Sequence, residues 1–281
     1  MISTITVNYK TADYLERMLE SLFAHHTRGE LDVIVVENAS GDDLSRVEER
    51  FPSVRLIRSE GNRGFAGGCN LGIANAYGDF IVLLNPDIVF TSPALYEIRE
   101  AMVRDPRVGI GGISLKNLDG SQQKCVWRFP TPTDQLFLLL KIPHLFPRMA
   151  SIARWRMDDF DYTQSADVNQ VMGAFFCIKR EVLEQIGALD EGFFMWYEEV
   201  DFCKRANTAG WRVRYVAHIS AKHKKGSSFD RVSTLKKQAF LRRSIRHYLR
   251  KHHGKAIGTL FWLLEPVFVL CAFVASLIKP I

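Results

Sequence analysis

Residues 80–87 read FIVLLNPD, which is five apolar residues followed by Asn85-Pro86-Asp87. A continuous apolar run of this length is typical of a strand that is buried on both faces of a parallel sheet. Two earlier segments have the same character, residues 3–9 (STITVNY) and residues 31–36 (LDVIVV). Segments with helical spacing separate these strands, so strand and helix alternate four times in the first ~105 residues. This alternation predicts an α/β fold with an open, mainly parallel sheet flanked by helices.

Ligands of such sheets bind beyond the carboxyl ends of the strands, and unusual polar residues lie at three of those ends. Asn8-Tyr9 follows the first strand and Glu37-Asn38 follows the second. The Glu37 carboxylate is suited to a ribose diol or a base edge, although a solvated turn is the alternative. Asp87 follows the fourth strand and suits a hard divalent cation that also holds a diphosphate, with an Asn-Pro-Asp turn as the alternative.

A glycine-rich segment, residues 61–70 (GNRGFAGGCN), precedes an expected helix at residues 69–76. Glycines let the backbone approach a ligand closely and expose its N–H groups, and Arg63 could neutralise a phosphate. The segment lacks the Gly-Lys-Ser/Thr of a P-loop and the strand and helix context of a dinucleotide fingerprint. It therefore indicates ligand binding, with a flexible turn as the alternative.

Residues 193–201 (FFMWYEEVD) place three carboxylates behind an aromatic run. Aromatic surroundings raise a carboxylate pKa and prepare a general base, whereas acids at a helix start are also favoured by the helix dipole. Further along, residues 223–228 (HKKGSS) offer His223 as a nitrogen ligand to a metal at Asp87. Lys224 and Lys225 could neutralise phosphate, with a solvated loop as the alternative.

The composition is that of a globular protein, with 47% hydrophobic and 24% charged residues, which excludes disordered, collagen-like and disulfide-scaffold classes. The five cysteines form no CxxC pair and are odd in number, so a reducing compartment is favoured. Met1 leads directly into a strand pattern without the basic and apolar regions of a signal peptide. We therefore expect the body of the protein in the cytosol.

The net charge of +6 is divided unevenly along the chain. Residues 231–255 hold nine Lys or Arg and no acid, which leaves residues 1–230 with a net charge of −3. Residues 257–278 are apolar but are interrupted by Glu265-Pro266. This pattern predicts a re-entrant hairpin or a helix pair lying on the cytoplasmic membrane surface, and nucleic acid is disfavoured. The alternative is a buried C-terminal helix preceded by a solvated basic helix.

Taken in order, several segments resemble family 2 glycosyltransferases of the GT-A fold, particularly the bacterial rhamnosyltransferase-like branch. The resemblance covers residues 3–230, so we expect a catalytic domain at 1–230 and a membrane-associating tail at 231–281. The matching segments are VNY (7–9), VVENAS (35–40), GNRGFAGGCN (61–70), LLNPD (83–87), DGSQQ (119–123), RFPTP (128–132), GAFFCIKR (173–180), FFMWYEEVDFCKR (193–205) and HKKGSS (223–228).

The resemblance implies an inverting, metal-dependent transferase that uses Mg²⁺ or Mn²⁺. The implied donor is a dTDP- or UDP-sugar, with dTDP-rhamnose the first choice. The implied acceptor is a glycan or a polyprenyl-linked sugar at the cytoplasmic face of the plasma membrane, in cell-surface polysaccharide synthesis. Two rival classes stay open on the residues alone, a sugar-phosphate nucleotidyltransferase and a non-catalytic, membrane-associated glycan-binding protein.

By motif, Glu199 matches the catalytic base, and Asp87 and His223 match the metal ligands. Three positions depart from the family pattern. Glu37 stands where aspartate is usual, and Asn85 replaces an acid. Glu199 stands where aspartate is frequent, so Glu198 remains an alternative base. The implied donor-binding residues are Val7, Tyr9, Glu37, Asn38, Asn62, Arg63, Gly64, Gly67, Asn85 and Asp87. The implied acceptor-binding residues are Gly173, Ala174, Trp196 and Glu198.

Overall fold

A computed structural model of the chain describes residues 1–146, 149–224 and 234–278. Its strands, in chain order, are β1 (Ile2–Asn8), β2 (Leu31–Glu37), β3 (Arg55–Arg58), β4 (Phe80–Leu84), β5 (Ile88–Phe90), β6 (Val108–Lys116), β7 (Val126–Trp127), β8 (Ala166–Val168), β9 (Gln170–Val171), β10 (Phe175–Lys179) and β11 (Arg212–His223). Its helices are α1 (Ala12–His25), α2 (Ser45–Arg50), α3 (Gly64–Ile73), α4 (Ala94–Arg104), α5 (Pro132–Leu139), α6 (Ile142–Leu145), α7 (Ala150–Trp155), α8 (Arg180–Ile186), α9 (Glu198–Thr208), α10 (Thr234–His253), α11 (Lys255–Leu263) and α12 (Glu265–Ile278).

The central sheet has nine strands in the order β3-β2-β1-β4-β10-β6-β11-β5, and β8 is added beside β11. Strands β1 to β4 are mutually parallel, and β6 and β11 run in the same direction as they do. The strands that run the opposite way are β10, β5 and β8. The predicted α/β fold with a mainly parallel sheet flanked by helices is confirmed.

Glycines explain two differences between the predicted and observed elements. Strand β6 was not predicted because glycines interrupt its apolar pattern, yet a Cβ at Gly112 would lie 2.6 Å from Val171. Helix α3 begins at Gly64 rather than at residue 69. A Cβ at Gly68 would lie 2.8 Å from Val7, so this glycine lets α3 pack closely on β1. The glycine-rich segment is therefore the first part of a helix as well as a loop.

A second hydrophobic core lies beside the sheet, formed by the aromatic run before α9 together with α5 and the C-terminal helices. Ile245, Tyr248 and Leu249 of α10 are fully buried in it. The basic run is thus part of a helix that packs on the body of the molecule. The predicted domain boundary at residue 230 lies outside the described residues, and the division into a catalytic domain and a tail stays a prediction.

The apolar C-terminal residues form two helices that meet at an angle. Within the described part of the chain, no single helix has both the length and the apolar composition that a membrane span requires. Residues 255–263 and 265–275 pass the same test of length and composition only when taken together, with a bend of 52° between them.

Candidate active site

The carboxyl ends of β4 and β11 bring the two predicted metal ligands together. Strand β5, which directly follows Asp87, pairs with the end of β11 so that Ile88 lies opposite His223. His223 Nε2 lies 3.2 Å from Asp87 Oδ1, and both side chains are buried. The backbone N–H of Lys224 also donates to the Asp87 carbonyl oxygen at 3.1 Å. Residues 136 positions apart in sequence therefore form one buried pair.

Gln123, which the sequence analysis did not single out, determines how His223 is oriented. Its Oε1 lies 2.9 Å from His223 Nδ1, and its Nε2 donates to the His223 carbonyl oxygen at 2.6 Å. Because an amide oxygen only accepts, Nδ1 carries a proton, and Nε2 is the ring nitrogen that faces Asp87. No sequence pattern identifies a glutamine that orients a histidine ligand. The only nearby feature that the sequence shows is the turn at Asp119-Gly120.

The donor set at this position fits a divalent cation. It consists of an oxygen of the Asp87 carboxylate and Nε2 of the His223 imidazole, which lie side by side. Among the residues that the structure describes, no group of three or more His, Cys, Asp and Glu side chains converges as a metal cluster. Two protein ligands would leave most of an octahedral shell to phosphate oxygens and water, as Mg²⁺ and Mn²⁺ commonly have.

Glu37 and Asn8 belong to a polar network across the ends of β1 and β2. Glu37 Oε1 accepts hydrogen bonds from the backbone N–H and from the hydroxyl of Ser40. Asn8 donates to Asp42 Oδ2 at 2.9 Å, and that same oxygen accepts from the backbone N–H of Thr11 at 3.0 Å. Ser40 and Asp42 were not among the predicted site residues. Ser40 holds the Glu37 carboxylate in place at the sheet edge, and Asp42 holds the Asn8 amide beside it.

Asn38 and Asn62 were predicted to contact the nucleotide-sugar donor. In this structure their side chains form hydrogen bonds with the protein backbone instead. Asn38 Nδ2 donates to the Gly64 carbonyl oxygen at 2.9 Å, and its Oδ1 accepts from the Arg63 N–H at 3.0 Å. Asn62 Oδ1 accepts from the Gly64 N–H at 2.9 Å. Both amides therefore fix the turn that starts α3. The Arg63 guanidinium lies 3.5 Å from Glu191, so its contact with phosphate stays a prediction.

Three further residues that were predicted to bind the nucleotide-sugar donor have contacts with neighbouring residues of the protein. Val7 lies beneath Gly68 of α3. Gly67 faces the Arg63 side chain, which a Cβ would approach to 2.7 Å. Tyr9 follows β1 half-exposed, with Lys10 Nζ 5.7 Å from its ring centre. Lys225 lies outside the described residues.

A strained turn precedes the two glutamates. Trp196 and Tyr197 both have left-handed backbone angles, with φ of 64° and 74°. Such angles are unfavourable for bulky residues and persist where surrounding structure enforces them, often at active sites. Tyr197 donates to Gln135 of α5, and Ser244 of α10 donates to the Met195 carbonyl oxygen at 2.7 Å. Two helices therefore hold this turn.

Glu198 and Glu199 are the first residues of α9, and Glu198 is buried while Glu199 is partly exposed. The Oε2 atom of each is buried and accepts no hydrogen bond from any residue that the structure describes. Burial raises the pKa of Glu198 well above its usual range, and the neighbouring Glu199 carboxylate raises it further. Burial also raises the pKa of Glu199. A carboxylate with a raised pKa and a free oxygen is suited to accept a proton from a hydroxyl group.

The Gly173-Ala174 segment connects the metal-ligand edge to the glutamates. The Asn85 N–H donates to the Ala174 carbonyl oxygen at 2.9 Å, which ties the end of β4 to the start of β10. Next to it, a Cβ at Gly173 would lie 3.7 Å from the Glu199 side chain. Asn85 is two residues from Asp87, so Glu199 and the Asp87–His223 pair belong to the same edge of the sheet.

Asp201, the third carboxylate of the predicted cluster, has a different environment from the two glutamates. It is fully buried, and Arg205, Lys251 and His252 surround it at 2.7–2.9 Å. Burial opposes its ionisation, but hydrogen bonds from His252, Lys251 and Arg205 outweigh that effect and lower its pKa. Asp201 therefore joins α9 to α10, and it is Glu198 and Glu199 that remain available for chemistry.

Comparison with known proteins agrees with this geometry. The profile of the family described as Glycosyl transferase family 2 matches residues 3–156, which is more than half of the chain. The chain belongs to glycosyltransferase family 2. The predicted family 2 glycosyltransferase is thereby confirmed, and the two rival classes are set aside.

Two curated relatives of the transferase are named as rhamnosyltransferases. The N-acetylglucosaminyl-diphospho-decaprenol L-rhamnosyltransferase of Mycobacterium tuberculosis is 25% identical over 277 residues, covering 94% of this chain and 89% of the relative. Rhamnosyltransferase WbbL of Escherichia coli is 24% identical, with 79% and 83% of the two chains covered.

Solved structures with low sequence identity share the fold of the transferase. The mannosyltransferase PcManGT of Pyrobaculum calidifontis, determined with GDP-Man and Mn²⁺, superposes with a TM-score of 0.60 at 19% identity. That alignment covers 98% of this chain and 73% of the other. S. aureus TarS residues 1–349 with UDP give a TM-score of 0.57 at 15% identity, covering 94% and 71%.

Proposed function

We propose that the transferase moves a sugar, with L-rhamnose the first candidate, from a nucleoside-diphosphate sugar to a lipid-linked or glycan acceptor with inversion at the anomeric carbon. The reaction would serve cell-surface polysaccharide synthesis. The observation that carries this proposal is the shared sheet edge, which combines the buried Asp87–His223 pair with the unpartnered carboxylate oxygen of Glu199.

The proposed chemistry divides between the two halves of this edge. Glu37 would accept hydrogen bonds from the nucleoside of the donor, and the diphosphate would extend toward Asp87 and His223. A divalent cation, Mg²⁺ or Mn²⁺, held by these two side chains would offset the negative charge of the leaving diphosphate. Glu199 would accept the proton of the acceptor hydroxyl group while the oxygen of that hydroxyl group bonds to the anomeric carbon. The carbon–oxygen bond to the diphosphate breaks from the opposite face, so the configuration inverts.

The names of the relatives support the choice of substrates. Two of them are rhamnosyltransferases, and one acts on a decaprenyl diphosphate carrying N-acetylglucosamine. These names favour dTDP-rhamnose over UDP-sugars as the donor and a polyprenyl-linked sugar as the acceptor. Such an acceptor lies in a bilayer, and the exposed apolar side chains of α11 and α12 would suit contact with its surface. We therefore place the transferase at the cytoplasmic face of the plasma membrane.

Substitution of each glutamate tests which one is the base. Glu199→Gln keeps the shape of the side chain but removes its basicity, so we expect a loss of about 10²- to 10⁴-fold in kcat with donor affinity retained. Glu198→Gln is the matched control and is expected to keep most of the activity. Turnover of dTDP-rhamnose with an acceptor, followed by NMR of the product's anomeric centre, measures both rate and inversion. Near-normal turnover by Glu199→Gln, or retention at that centre, would contradict the proposal.

The pH dependence of kcat is a second test of whether Glu199 or Glu198 is the base. Glu199 must be ionised to act as a base, so kcat should fall as pH drops through its raised pKa, above the ordinary value of 4.5. The charge of Glu199 raises the pKa of Glu198, which is therefore neutral while Glu199 titrates, so Glu198→Gln should leave the acid limb of the profile at the same pH. An acid limb that disappears in Glu198→Gln would assign the base to Glu198 instead.

A further inference from the structure

A basic cleft lies between α10 and α11. Its volume is about 640 Å³. A Cβ at Gly258 would lie 2.7 Å from the Arg250 Cβ, so this glycine lets the two helices approach closely along the floor of the cleft. The cleft is lined by Gly192, Arg243, Arg246, His247, Arg250, Lys255, Gly258, Thr259 and Trp262.

The charges in this cleft are only partly balanced. Arg246 lies 3.4 Å from Glu265, and His247 lies 3.1 Å from Asp190. Arg243, Arg250 and Lys255 form no ion pair with any acid in the described ranges 1–146, 149–224 and 234–278. All three are exposed. Three solvated cations around one concave surface favour a ligand that carries phosphate, which arginine binds through paired N–H donors.

The cleft opens beside an exposed apolar surface. Trp262 lines the cleft and is itself 61% exposed. Leu263 and Leu270 are exposed to similar extents, 63% and 61%, and Leu260 is also exposed. A tryptophan between a polar and an apolar surface is typical of the interface of a bilayer, where its ring lies at the level of the headgroups.

We propose that this cleft binds the phosphate headgroups of an anionic bilayer while the exposed side chains of α11 and α12 enter the acyl region. The inference deepens the proposed membrane location of the transferase and rests on it. Cations next to an apolar helix face are the combination that holds a protein on anionic lipid. The cleft supplies both parts, with Trp262 at their boundary.

The position of the cleft also relates the bilayer to the catalytic residues. Gly192 forms part of its rim, and a Cβ there would lie 2.6 Å from His247 Nε2. The aromatic run that leads to Glu198 and Glu199 begins at the next residue. A bilayer bound at the cleft would therefore adjoin the loop that carries the proposed base, as a lipid-linked acceptor requires.

Vesicle binding of the full chain tests the cleft. We expect the wild-type protein to bind vesicles of phosphatidylcholine mixed with phosphatidylglycerol, and to bind pure phosphatidylcholine much more weakly. The triple variant Arg243→Gln, Arg250→Gln, Lys255→Gln should lose roughly fivefold in affinity per cation, about 100-fold together. Its thermal unfolding midpoint, measured in detergent, establishes that it is folded.

The matched control removes three exposed arginines elsewhere, Arg46→Gln, Arg104→Gln and Arg107→Gln, and should bind the mixed vesicles like wild type. An equal loss in both triple variants, or equal binding of wild type to neutral and anionic vesicles, would overturn the proposal. So would tighter binding to duplex DNA than to vesicles at the same salt concentration. The Glu199→Gln variant should still bind vesicles, which separates failure of the cleft from failure of the proposed chemistry.

Discussion

At the scale of single residues, Gln123 determines what His223 can do. The side-chain oxygen of Gln123 accepts a hydrogen bond from His223 Nδ1, and its side-chain N–H donates to the carbonyl oxygen of His223. The imidazole is therefore held in one orientation, with Nε2 3.2 Å from Asp87. Outer-shell groups of this kind raise the basicity of a histidine ligand and reduce its freedom to rotate. Gln123 is in this sense a positioning residue for the proposed metal site.

Replacement of Gln123 by alanine should therefore weaken metal binding. Substitution of an outer-shell partner commonly costs 10- to 100-fold in metal affinity, and we expect a loss of about that size for Mn²⁺. Calorimetric titration of Mn²⁺ into the protein with nucleoside diphosphate present measures it. Gln164→Ala, at an exposed position, is the control and should bind Mn²⁺ like wild type. Unchanged affinity in Gln123→Ala would show that His223 needs no such partner.

The site residues differ in how far sequence alone could place them. Asp87 and Glu37 could be predicted because buried apolar runs end at them, and strand ends meet at one edge of a parallel sheet. The internal role of Asn38 could not be predicted, since its partners, the Gly64 carbonyl and the Arg63 N–H, depend on where α3 begins. The strain at Trp196 and Tyr197 comes from contacts with α5 and α10, which no local pattern records.

At the scale of elements, α10 is where composition and packing lead to different conclusions. Its many cations suggest a solvated or membrane-facing helix, yet Tyr248 lies 5.5 Å from the Tyr197 ring within the second core. Its basic residues also have internal partners, since Lys251 reaches both Asp190 and Asp201. Elements with continuous apolar runs, such as β2 and β4, could be predicted directly. The packing of α10 on the body of the protein could not be predicted in this way, because its acidic partners lie far from it in the sequence.

Removal of the Asp201 charge should loosen α10 from α9. Asp201→Asn leaves Arg205 without its counter-ion and removes one of the two carboxylates that pair with Lys251. Breaking a buried ion pair from one side costs roughly 3 kcal/mol. Urea unfolding at neutral pH should show a clearly lower midpoint for this variant. Asp159→Asn, at an exposed position, should unfold like wild type. Equal midpoints for the two variants would mean that the contacts around Asp201 contribute little to stability.

At the scale of the whole molecule, the C-terminal helices have two distinct relations to the body. Helix α10 supplies fully buried side chains to the second core and holds the turn before Glu198. Helices α11 and α12 contribute Phe261 and Phe268 to that core but expose most of their apolar surface. Folding of the catalytic edge should therefore depend on α10, and membrane binding should depend mainly on α11 and α12.

Two shortened chains separate these relations. A chain that ends at Ser228 lacks Ile245, Tyr248 and Leu249, whose burial contributes roughly 2 kcal/mol each, a large share of the 5–15 kcal/mol typical of a folded domain. We expect this chain to show no cooperative thermal unfolding. A chain that ends at Gly254 keeps α10 and should unfold cooperatively, at a lower temperature than the full chain, while binding anionic vesicles far more weakly. Calorimetry in the same detergent, followed by vesicle flotation, compares all three chains. If both shortened chains unfold at the same temperature as the full chain, α10 is not part of the folded body.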